Sequence, residues 1–422
     1  MKLLWYGETM FIQTGAGQVA KQLLPVFQEV FSEIHLVPIN QWWIQENLPA
    51  GLTITPGNQQ DNWNLANAKQ AISMLDYDCL FLTTDLNRIS DLTAEIEKTH
   101  KYGIPVLMYG AMDTHVFQPA FFHVLELASI PVVFSEWCKR LVLYNIPALA
   151  EKLHVIYHGT EPDTFFPLAQ EERQRLRKEY FSIEDDSTFV VVNVNRNQVR
   201  KDLARTMAAF HLFHLEVPDS LLYLHSKQQD VGGNLPSQAQ GLGLRVQGAK
   251  PEVIFAPLDF NETNGVSRED LNKIYNSADC FLTTSTGEGW GLTTTEAMSA
   301  GTPVVGPDNT VFPEIMGEWL YQWFSHFRMH ERGILVESGG PDLWTTFYGI
   351  SDTPREICST TGAMAALQHV HDEHTKAIAR AADAWAWTLN NTWEHKRAQW
   401  RALLCHLFEG AAEKRSLQTS TV

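Results

Sequence analysis

The chain has 422 residues, of which 44% are hydrophobic and 19% charged, proportions typical of a soluble globular enzyme. This length is more than one hydrophobic core usually organises, so two domains are expected. The net charge of −17 at pH 7 argues against a protein that coats nucleic acid non-specifically, although it leaves room for a local basic groove.

Targeting and membrane signals are weak in this sequence. It has no run of about 18 apolar residues, so neither a transmembrane helix nor integral membrane contact is expected. The first residues, MKLLWYG, lack the apolar segment and cleavage site of a signal peptide. Of five scattered cysteines, Cys79, Cys138 and Cys280 lie in or beside apolar runs. These features predict reduced core cysteines in a cytoplasmic protein.

In the first part of the chain, short apolar runs alternate with longer amphipathic segments such as QVAKQLLPVFQEVF. The predicted strands are residues 2–7, 34–39, 79–84, 105–110, 131–136 and 154–159. Because these runs are apolar on both faces and alternate with helical patterns, they predict a parallel sheet covered by helices.

A polar and charged stretch at residues 160–188 interrupts the alternation, which then restarts. Six further strands are predicted at residues 189–195, 221–226, 253–258, 280–285, 303–308 and 333–337. From about Pro354 the sequence is helical, and Trp385, Trp393 and Trp400 form a spaced stripe. We therefore predict two α/β domains, 1–175 and 176–385, followed by a C-terminal helix and tail, 386–422.

Ligands of open parallel sheets bind beyond the carboxyl ends of the strands, so the residues that follow strands are the candidates. Thr14, Gly15 and Gly17 lie in a loop between the first strand and a helix, where a simple tight turn is the alternative. Asp113 and His115 follow the fourth strand, and either could accept a proton from a hydroxyl group. A loop aspartate that caps the next segment is the alternative there.

In the second half, Arg196 and Lys201 follow the strand at residues 189–195, and Arg200 is adjacent. Fixed cations at this place would stabilise a departing anion, whereas a solvated basic loop is the alternative.

The segment STGEGWGLTTTEAMSAGTPVVGP, residues 285–307, carries Glu288 in a loop and Glu296 in the helix that follows. Gly287, Gly289 and Gly291 would let the backbone approach a ligand closely, and a carboxylate suits the vicinal hydroxyls of a sugar or ribose. The alternative is a glycine-rich turn with a solvated glutamate.

These residues resemble the E-x7-E signature of retaining glycosyltransferases of the group 1 class, which have the GT-B fold. Three more segments are similar to motifs of that family in the same order, namely VIYHGTEPDTFFP (Val155–Pro167), NVNRNQVRKDL (Asn193–Leu203) and DLNKIYNSADCFLTTS (Asp270–Ser285). One departure is Asn195, where the family usually has glycine. The resemblance implies two Rossmann-like parallel-sheet domains that face a cleft, with a C-terminal helix returning to the first domain.

The resemblance also implies roles for the candidate residues. Glu288, with the backbone of Gly289, Trp290 and Gly291, would contact the donor sugar, and Glu296 would bind the ribose. Arg196 and Lys201 would hold the diphosphate. The loop of Thr14, Gly15 and Gly17 would lie near the phosphates and the acceptor, and Asp113 or His115 would lie near the acceptor hydroxyl.

The resulting hypothesis is a metal-independent glycosyltransferase that moves a sugar from a nucleoside-diphosphate-sugar to a hydroxyl acceptor with retention. It needs no cofactor beyond this co-substrate. The acceptor would be a saccharide or a hydroxymethylated DNA base, the latter as in phage-type members, so a bacterial or phage-infected cytoplasm is expected. A nucleotide-sugar epimerase and a catalytically silent nucleotide-sugar binder remain as alternatives. The acidic and histidine clusters at residues 76–78 and 369–374 are interpreted as a turn and a solvated helix face, so no metal site is predicted.

Overall fold

The computed structural model describes residues 1–115, 118–183, 187–248, 250–258, 265–323, 326–346 and 353–419. The chain forms two compact units. Unit 1 consists of Met1–Met112, Phe117–Gly159 and Trp393–Val422, and unit 2 consists of Asp113–Val116 and Thr160–Thr392.

Unit 1 begins with alternating strands and helices. They are β1 (Lys2–Glu8), α1 (Gly15–Val30), β2 (Glu33–Ile39), β3 (Leu52–Ile54), α2 (Leu65–Met74), β4 (Cys79–Thr83), α3 (Leu86–Ser90), α4 (Thr93–Lys101), β5 (Val106–Tyr109), α5 (Pro119–Leu127), β6 (Ile130–Val133), α6 (Glu136–Asn145) and β7 (His154–Val155). The sheet has the order β3-β2-β1-β4-β5-β6-β7, and every neighbouring pair is parallel. The predicted parallel sheet is thus confirmed. The order changes direction between β1 and β4, where open α/β sheets bind ligands.

Unit 2 repeats the alternation and adds strands at one edge. Its elements are α7 (Gln170–Phe181), β8 (Phe189–Val194), α8 (Leu203–Glu216), β9 (Ser220–His225), β10 (Gln229–Asp230), β11 (Gly233–Asn234), α9 (Leu235–Gly241), β12 (Val253–Phe255), α10 (Arg268–Asn276), β13 (Cys280–Leu282), α11 (Leu292–Ser299), β14 (Val304–Pro307), α12 (Phe312–Met316), β15 (Trp319–Trp323), β16 (Phe327–His330), β17 (Ile334–Val336), β18 (Trp344–Thr346), β19 (Pro354–Glu356), α13 (Thr360–Asp372) and α14 (His374–Leu389).

The main sheet of unit 2 has the order β12-β9-β8-β13-β14-β17-β16-β15. It is parallel from β12 to β17, which includes all six strands predicted in this half of the chain. Strands β16 and β15 were not predicted and extend the sheet in antiparallel orientation. The reason is the short turn between β16 and β17, in which His330 N–H donates to the Gly333 carbonyl at 2.9 Å. So short a connection can only join antiparallel strands.

The boundary between the units lies at Gly159–Thr160 rather than at residue 175. Arg177 of α7 is buried and donates to Asp279 at 3.0 Å, and Arg173 reaches the same carboxylate at 2.6 Å. Asp279 also accepts a bond from the Val190 amide of β8 at 2.7 Å. The polar composition of α7 resembles a linker, but these ion pairs attach the helix to the sheet of unit 2.

The last helix, α15 (Trp393–Thr419), belongs to unit 1, as expected for the C-terminal helix. It begins at residue 393 rather than 386 because α14 ends at Leu389, so Trp385 lies on a different helix from Trp393 and Trp400. The Trp400 ring is fully buried, with ring centroids 5.8 Å from Phe27 of α1 and 5.0 Å from Tyr109 of β5. None of the described helices is long and apolar enough to cross a membrane.

Candidate functional site

The loops that follow β8 and β13 meet in unit 2. These strands are neighbours, and the strand order changes direction between them, since β9 follows on one side and β14 on the other. The Thr286 amide donates to the Arg200 carbonyl at 2.8 Å, and the Thr284 hydroxyl donates to the Asp202 carbonyl at 2.8 Å. The two loops are therefore held together where a doubly wound sheet binds its ligand.

Glu288 lies between two cations in this crevice. Its Oε1 accepts from Lys201 Nζ, and its Oε2 accepts from Arg200 at 3.1 Å. The Ser285 hydroxyl donates to Oε1 at 2.8 Å, and the Glu288 amide donates to the Thr310 hydroxyl at 3.1 Å. Sequence analysis predicted Glu288 and Lys201 as donor-site residues 87 positions apart, and the structure brings them into direct contact.

Burial disfavours the charged forms of Glu288 and Lys201, whereas each of the two stabilises the charged form of the other. Burial disfavours the charged form of Glu288, but Arg200 and Lys201 outweigh it and lower the pKa of the carboxyl well below its usual range. Burial, followed by repulsion from Arg200, lowers the pKa of Lys201 to about 8 even though Glu288 opposes the shift. At pH 7 Glu288 thus faces two cations, Lys201 and Arg200. Asp113, near Arg200, and its partner Arg355 add one charge of each sign, so the cluster keeps a net positive charge suited to an anionic ligand.

The second cation that contacts Glu288, beside Lys201, is Arg200 and not Arg196. Arg196 Nε donates to Asp230 at 2.8 Å, and its side chain is 43% exposed. Arg200 lies within a 3-10 turn, Val199–Lys201, and its side chain reaches Glu288 from there. The role of Arg196 at a diphosphate stays a prediction, whereas Arg200 was noted from the sequence only as adjacent to Lys201.

Glu296 lies on the second turn of α11 and has its own set of donors. Arg268 donates to Oε1 at 3.2 Å and the Tyr275 hydroxyl donates to Oε2 at 3.0 Å. Burial raises the pKa of Glu296, an effect that Arg268 partly offsets. Arg268 also bonds Glu161 and lies over the Phe165 ring at 4.8 Å. Sequence analysis missed Arg268 and Glu161, because nothing in their spacing connects them with Glu296.

Two glycines near Glu288, Gly287 and Gly291, have backbone conformations that favour glycine. Gly287 has φ of +154°, and a Cβ atom there would lie 1.9 Å from the Asp113 carbonyl oxygen. Gly291 has φ of +85° at the start of α11. The Trp290 side chain between Gly289 and Gly291 is buried and stacks on Trp387 at 6.4 Å, so any donor contact at this position falls to the backbone.

Asp113 and His115 follow β5 in the chain but group with unit 2, which corrects their assignment to the first domain. Asp113 Oδ1 pairs with Arg355 at 2.8 Å, and Oδ2 lies 3.5 Å from Arg200 Nε. His115 Nε2 accepts from the Thr310 amide at 3.3 Å. Asp113 is thus linked through Arg200 to Glu288.

Thr14, Gly15 and Gly17 begin α1 in unit 1. The Thr14 hydroxyl accepts from the Gly17 amide at 3.1 Å and donates to Glu8 at 2.7 Å, so Thr14 is the N-cap of this helix. A Cβ atom at Gly17 would meet the Ile12 carbonyl at 2.6 Å. These contacts explain the loop by its local structure, and a ligand role for it stays a prediction.

Residues 76–78 lie at the amino end of β4, where Asp78 accepts from the Lys2 amide at 2.9 Å. Among the described residues, no group of three histidine, cysteine, aspartate or glutamate side chains is placed to hold a metal ion.

Comparison with known proteins gives a family match for part of unit 2. Residues 260–339 match the family described as "Glycosyl transferases group 1", a segment that includes Glu288 and Glu296. The chain is similar to mannosylfructose-phosphate synthase of Agrobacterium fabrum, with 29% identity over 36% of this chain and 32% of that protein. It is equally similar, at 29% identity, to an uncharacterized glycosyltransferase of Methanocaldococcus jannaschii over 42% of this chain and 43% of the relative. Each match thus spans less than half of the curated relative.

Among solved structures, sucrose-phosphate synthase of Thermosynechococcus elongatus has a similar fold. Its TM-score is 0.69 with 15% identity, and the superposition covers 97% of this chain and all of the other. At that identity the likeness concerns the fold alone. Residues 260–339, about a fifth of the chain, are thus similar to group 1 glycosyltransferases, and the chain as a whole has the GT-B fold.

Proposed function

We propose that this protein transfers a sugar from a nucleoside-diphosphate-sugar to a hydroxyl acceptor and that unit 2 binds the donor. The observation that carries the proposal is the contact of Glu288 with Lys201 and Arg200 at the point where the strand order changes direction. A net positive, partly buried crevice at this point suits a diphosphate.

The leaving nucleoside diphosphate gains negative charge as the glycosidic bond breaks. Lys201 and Arg200 would stabilise that charge, because cations fixed before the reaction need no reorganisation during it. Two such cations would carry the role that a metal ion has in other transferases, so we infer metal-independent transfer. Arg196, in the same loop, would contribute if it exchanged Asp230 for phosphate.

The two glutamates would bind the hydroxyl groups of the donor. Each oxygen of Glu296 accepts one described hydrogen bond, and a carboxylate oxygen has two lone pairs, so capacity for the ribose hydroxyls remains. Glu288 is held ionised by Lys201 and Arg200, which makes it a strong acceptor for hydroxyls of the sugar.

Retention of the anomeric configuration is inferred from the group 1 likeness and no covalent nucleophile is assigned. Asp113 or His115 would accept the proton of the acceptor hydroxyl. The Arg200 contact of Asp113 favours it over His115, because a carboxylate beside the diphosphate cations is close to the reacting centre.

For the acceptor, a saccharide is favoured over a hydroxymethylated DNA base. The net charge of −17 opposes association with DNA. The name of the similar mannosylfructose-phosphate synthase describes a product made of sugars, which supports the saccharide class.

The proposal is tested by incubating the protein with UDP-, GDP-, ADP- and dTDP-sugars, with mono- and disaccharides or hydroxymethylated DNA as acceptors. We expect one donor to release its nucleoside diphosphate faster in the presence of a saccharide, and the Glu288→Gln variant to lose this activity. Glu179→Gln, on an exposed face of α7, is the control. Conversion of the nucleotide sugar without release would identify an epimerase, and binding without any conversion would identify a silent binder.

A further inference from the structure

Strand β19, which pairs with β18, contacts residues 113–115 through each of its three residues. The Thr114 hydroxyl donates to the Pro354 carbonyl at 2.9 Å. Arg355 bonds Asp113, and the Glu356 carboxylate lies 3.3 Å from His115 Nε2. Three consecutive residues of β19 thus contact the three consecutive residues that follow the β5 loop.

Arg355 makes the most extensive of these contacts. Its two terminal nitrogens donate to the Asp113 carbonyl at 2.9 Å and to Asp113 Oδ1 at 2.8 Å. The Arg355 side chain is only 5% exposed, so this charge-assisted pair is largely removed from water. Such a forked contact fixes both the backbone and the carboxylate of Asp113, which a lysine could not do.

The opposite side of Asp113 faces the donor crevice. Oδ2 lies 3.5 Å from Arg200 Nε, and another nitrogen of Arg200 donates to Glu288 at 3.1 Å. Gly287 allows the approach, because any Cβ atom there would overlap the Asp113 carbonyl oxygen. Arg355, Asp113, Arg200 and Glu288 form a continuous chain of alternating charges.

We propose that Arg355 is a positioning residue for sugar transfer, acting through Asp113 and Arg200 on the donor crevice. This inference rests on the proposed function, and β19 lies outside the segment 260–339 that matches the family. The described hydrogen bonds and ion pair of Arg355 go to Asp113, so its effect should appear in turnover and not in donor affinity. Loss of the fork would let Asp113 leave Arg200 while Lys201 and Glu288 stay in contact.

A double-mutant cycle of Arg355→Gln and Asp113→Asn tests the inference in the full chain. We expect Arg355→Gln to lower kcat about tenfold to a hundredfold, the scale of a small misplacement in an active site. The double variant should be no slower than Asp113→Asn alone, because Arg355 acts only through Asp113. Arg355→Lys should recover only part of the rate, and Arg175→Gln, on the exposed face of α7, should match wild type.

Donor affinity separates positioning from direct binding. Titration of the nucleoside diphosphate should give the same Kd for Arg355→Gln and wild type within about threefold, whereas Lys201→Met should bind more weakly. Additive losses in the cycle, or an affinity loss in Arg355→Gln equal to that of Lys201→Met, would overturn the inference.

A measurement without turnover keeps the inference separate from the proposed function. Hydrogen–deuterium exchange of peptides that cover residues 108–115 should accelerate in Arg355→Gln and stay unchanged in Arg175→Gln. Unchanged exchange in both variants would overturn the role of Arg355 in holding residues 113–115. If no donor is converted by wild type while the exchange still accelerates, the transferase proposal fails and the contact between β19 and Asp113 stands.

Discussion

At the scale of single residues, the crevice of unit 2 depends on one buried carboxylate shared by two cations. Removing a partner from such a group leaves an unpaired buried charge, which costs far more than the pair itself contributes. The Lys201–Glu288 contact therefore stabilises the fold and also lies at the proposed donor site, and variants at its two ends should behave differently.

Lys201 should make nucleotide binding depend on pH. Burial and the nearby Arg200 lower its pKa to about 8, so the ammonium is charged at pH 7 and loses its proton as the pH rises through 8. Binding of a nucleoside diphosphate, which needs that charge, should weaken about tenfold between pH 7 and pH 9. Calorimetric titration at both values measures this.

Lys201→Met should bind the nucleotide ten- to a hundredfold more weakly at pH 7, the value of about one charge-assisted hydrogen bond, and should lose most of the pH dependence. Lys250→Met, which removes a 74% exposed lysine of the same unit, is the control. An unchanged pH profile in Lys201→Met would assign the titration to another group.

Substitutions of the two glutamates should affect different quantities, the donor affinity for Glu296 and the turnover rate for Glu288. Glu296→Ala should raise the Kd of the nucleoside diphosphate about ten- to a hundredfold, because it removes the carboxylate assigned to the ribose. Glu288→Ala should mainly lower kcat. Glu179→Ala on α7 is the exposed control. Equal donor affinity for wild type and Glu296→Ala would contradict the ribose contact.

Much of this site was predictable from sequence, and the exceptions have physical reasons. Glu288, Glu296 and Lys201 follow strands of one sheet, and parallel strands bring such residues to one edge. The choice of Arg200 over Arg196 was not predictable, because spacing alone does not show that Arg200 reaches Glu288 from the 3-10 turn in which it lies. Arg355 was missed since it lies on a short edge strand whose contacts are far away in sequence.

At the scale of secondary-structure elements, the loop after β13 is shaped by the segment it packs on. Gly287→Ala should displace Asp113, because its Cβ would lie 1.9 Å from the carbonyl oxygen, and should cost roughly 1–3 kcal/mol of stability as well as activity. Gly243→Ala is the control, with a positive φ of +87° but a nearest neighbour 3.8 Å away. Comparing the thermal stability and turnover of both variants separates the clash with Asp113 from the strain of a positive φ. Equal losses of stability and turnover in the two variants would contradict the clash.

The last helix should stabilise unit 1 through Trp400. Its ring is fully buried between α1, β4 and β5, so Trp400→Ala should lower the free energy of unfolding by about 3–5 kcal/mol. Urea denaturation followed by fluorescence measures the change. Trp42→Ala, at a position 45% exposed in the same unit, should cost far less. A loss for Trp400→Ala as small as that for Trp42→Ala would show that α15 adds little to the core.

Each predicted strand coincides with an observed one, because short apolar runs that alternate with helical patterns are a strong signal. The errors fell on elements whose sequence does not carry that signal. Helix α7 is polar, yet its buried Arg177 pairs with Asp279. Strands β15 and β16 lie at an edge, where tertiary pairing and not periodicity decides the structure.

At the scale of the whole molecule, the chain repeats one architecture twice and places the charged crevice in the second unit. In both sheets the order of the strands changes direction beside the loop that follows the first strand, which is β1 in unit 1 and β8 in unit 2. The loop after β8 brings Lys201 and Arg200 into contact with Glu288. This pairing is the reason for our proposal that unit 2 binds the donor.

The most direct test of this assignment is a calorimetric titration of UDP, GDP, ADP and dTDP into wild type, Lys201→Met and Lys250→Met. The account predicts that one nucleotide binds wild type and Lys250→Met equally and binds Lys201→Met at least tenfold more weakly. Failure of all four nucleotides to bind, or binding that is indifferent to Lys201, would contradict it.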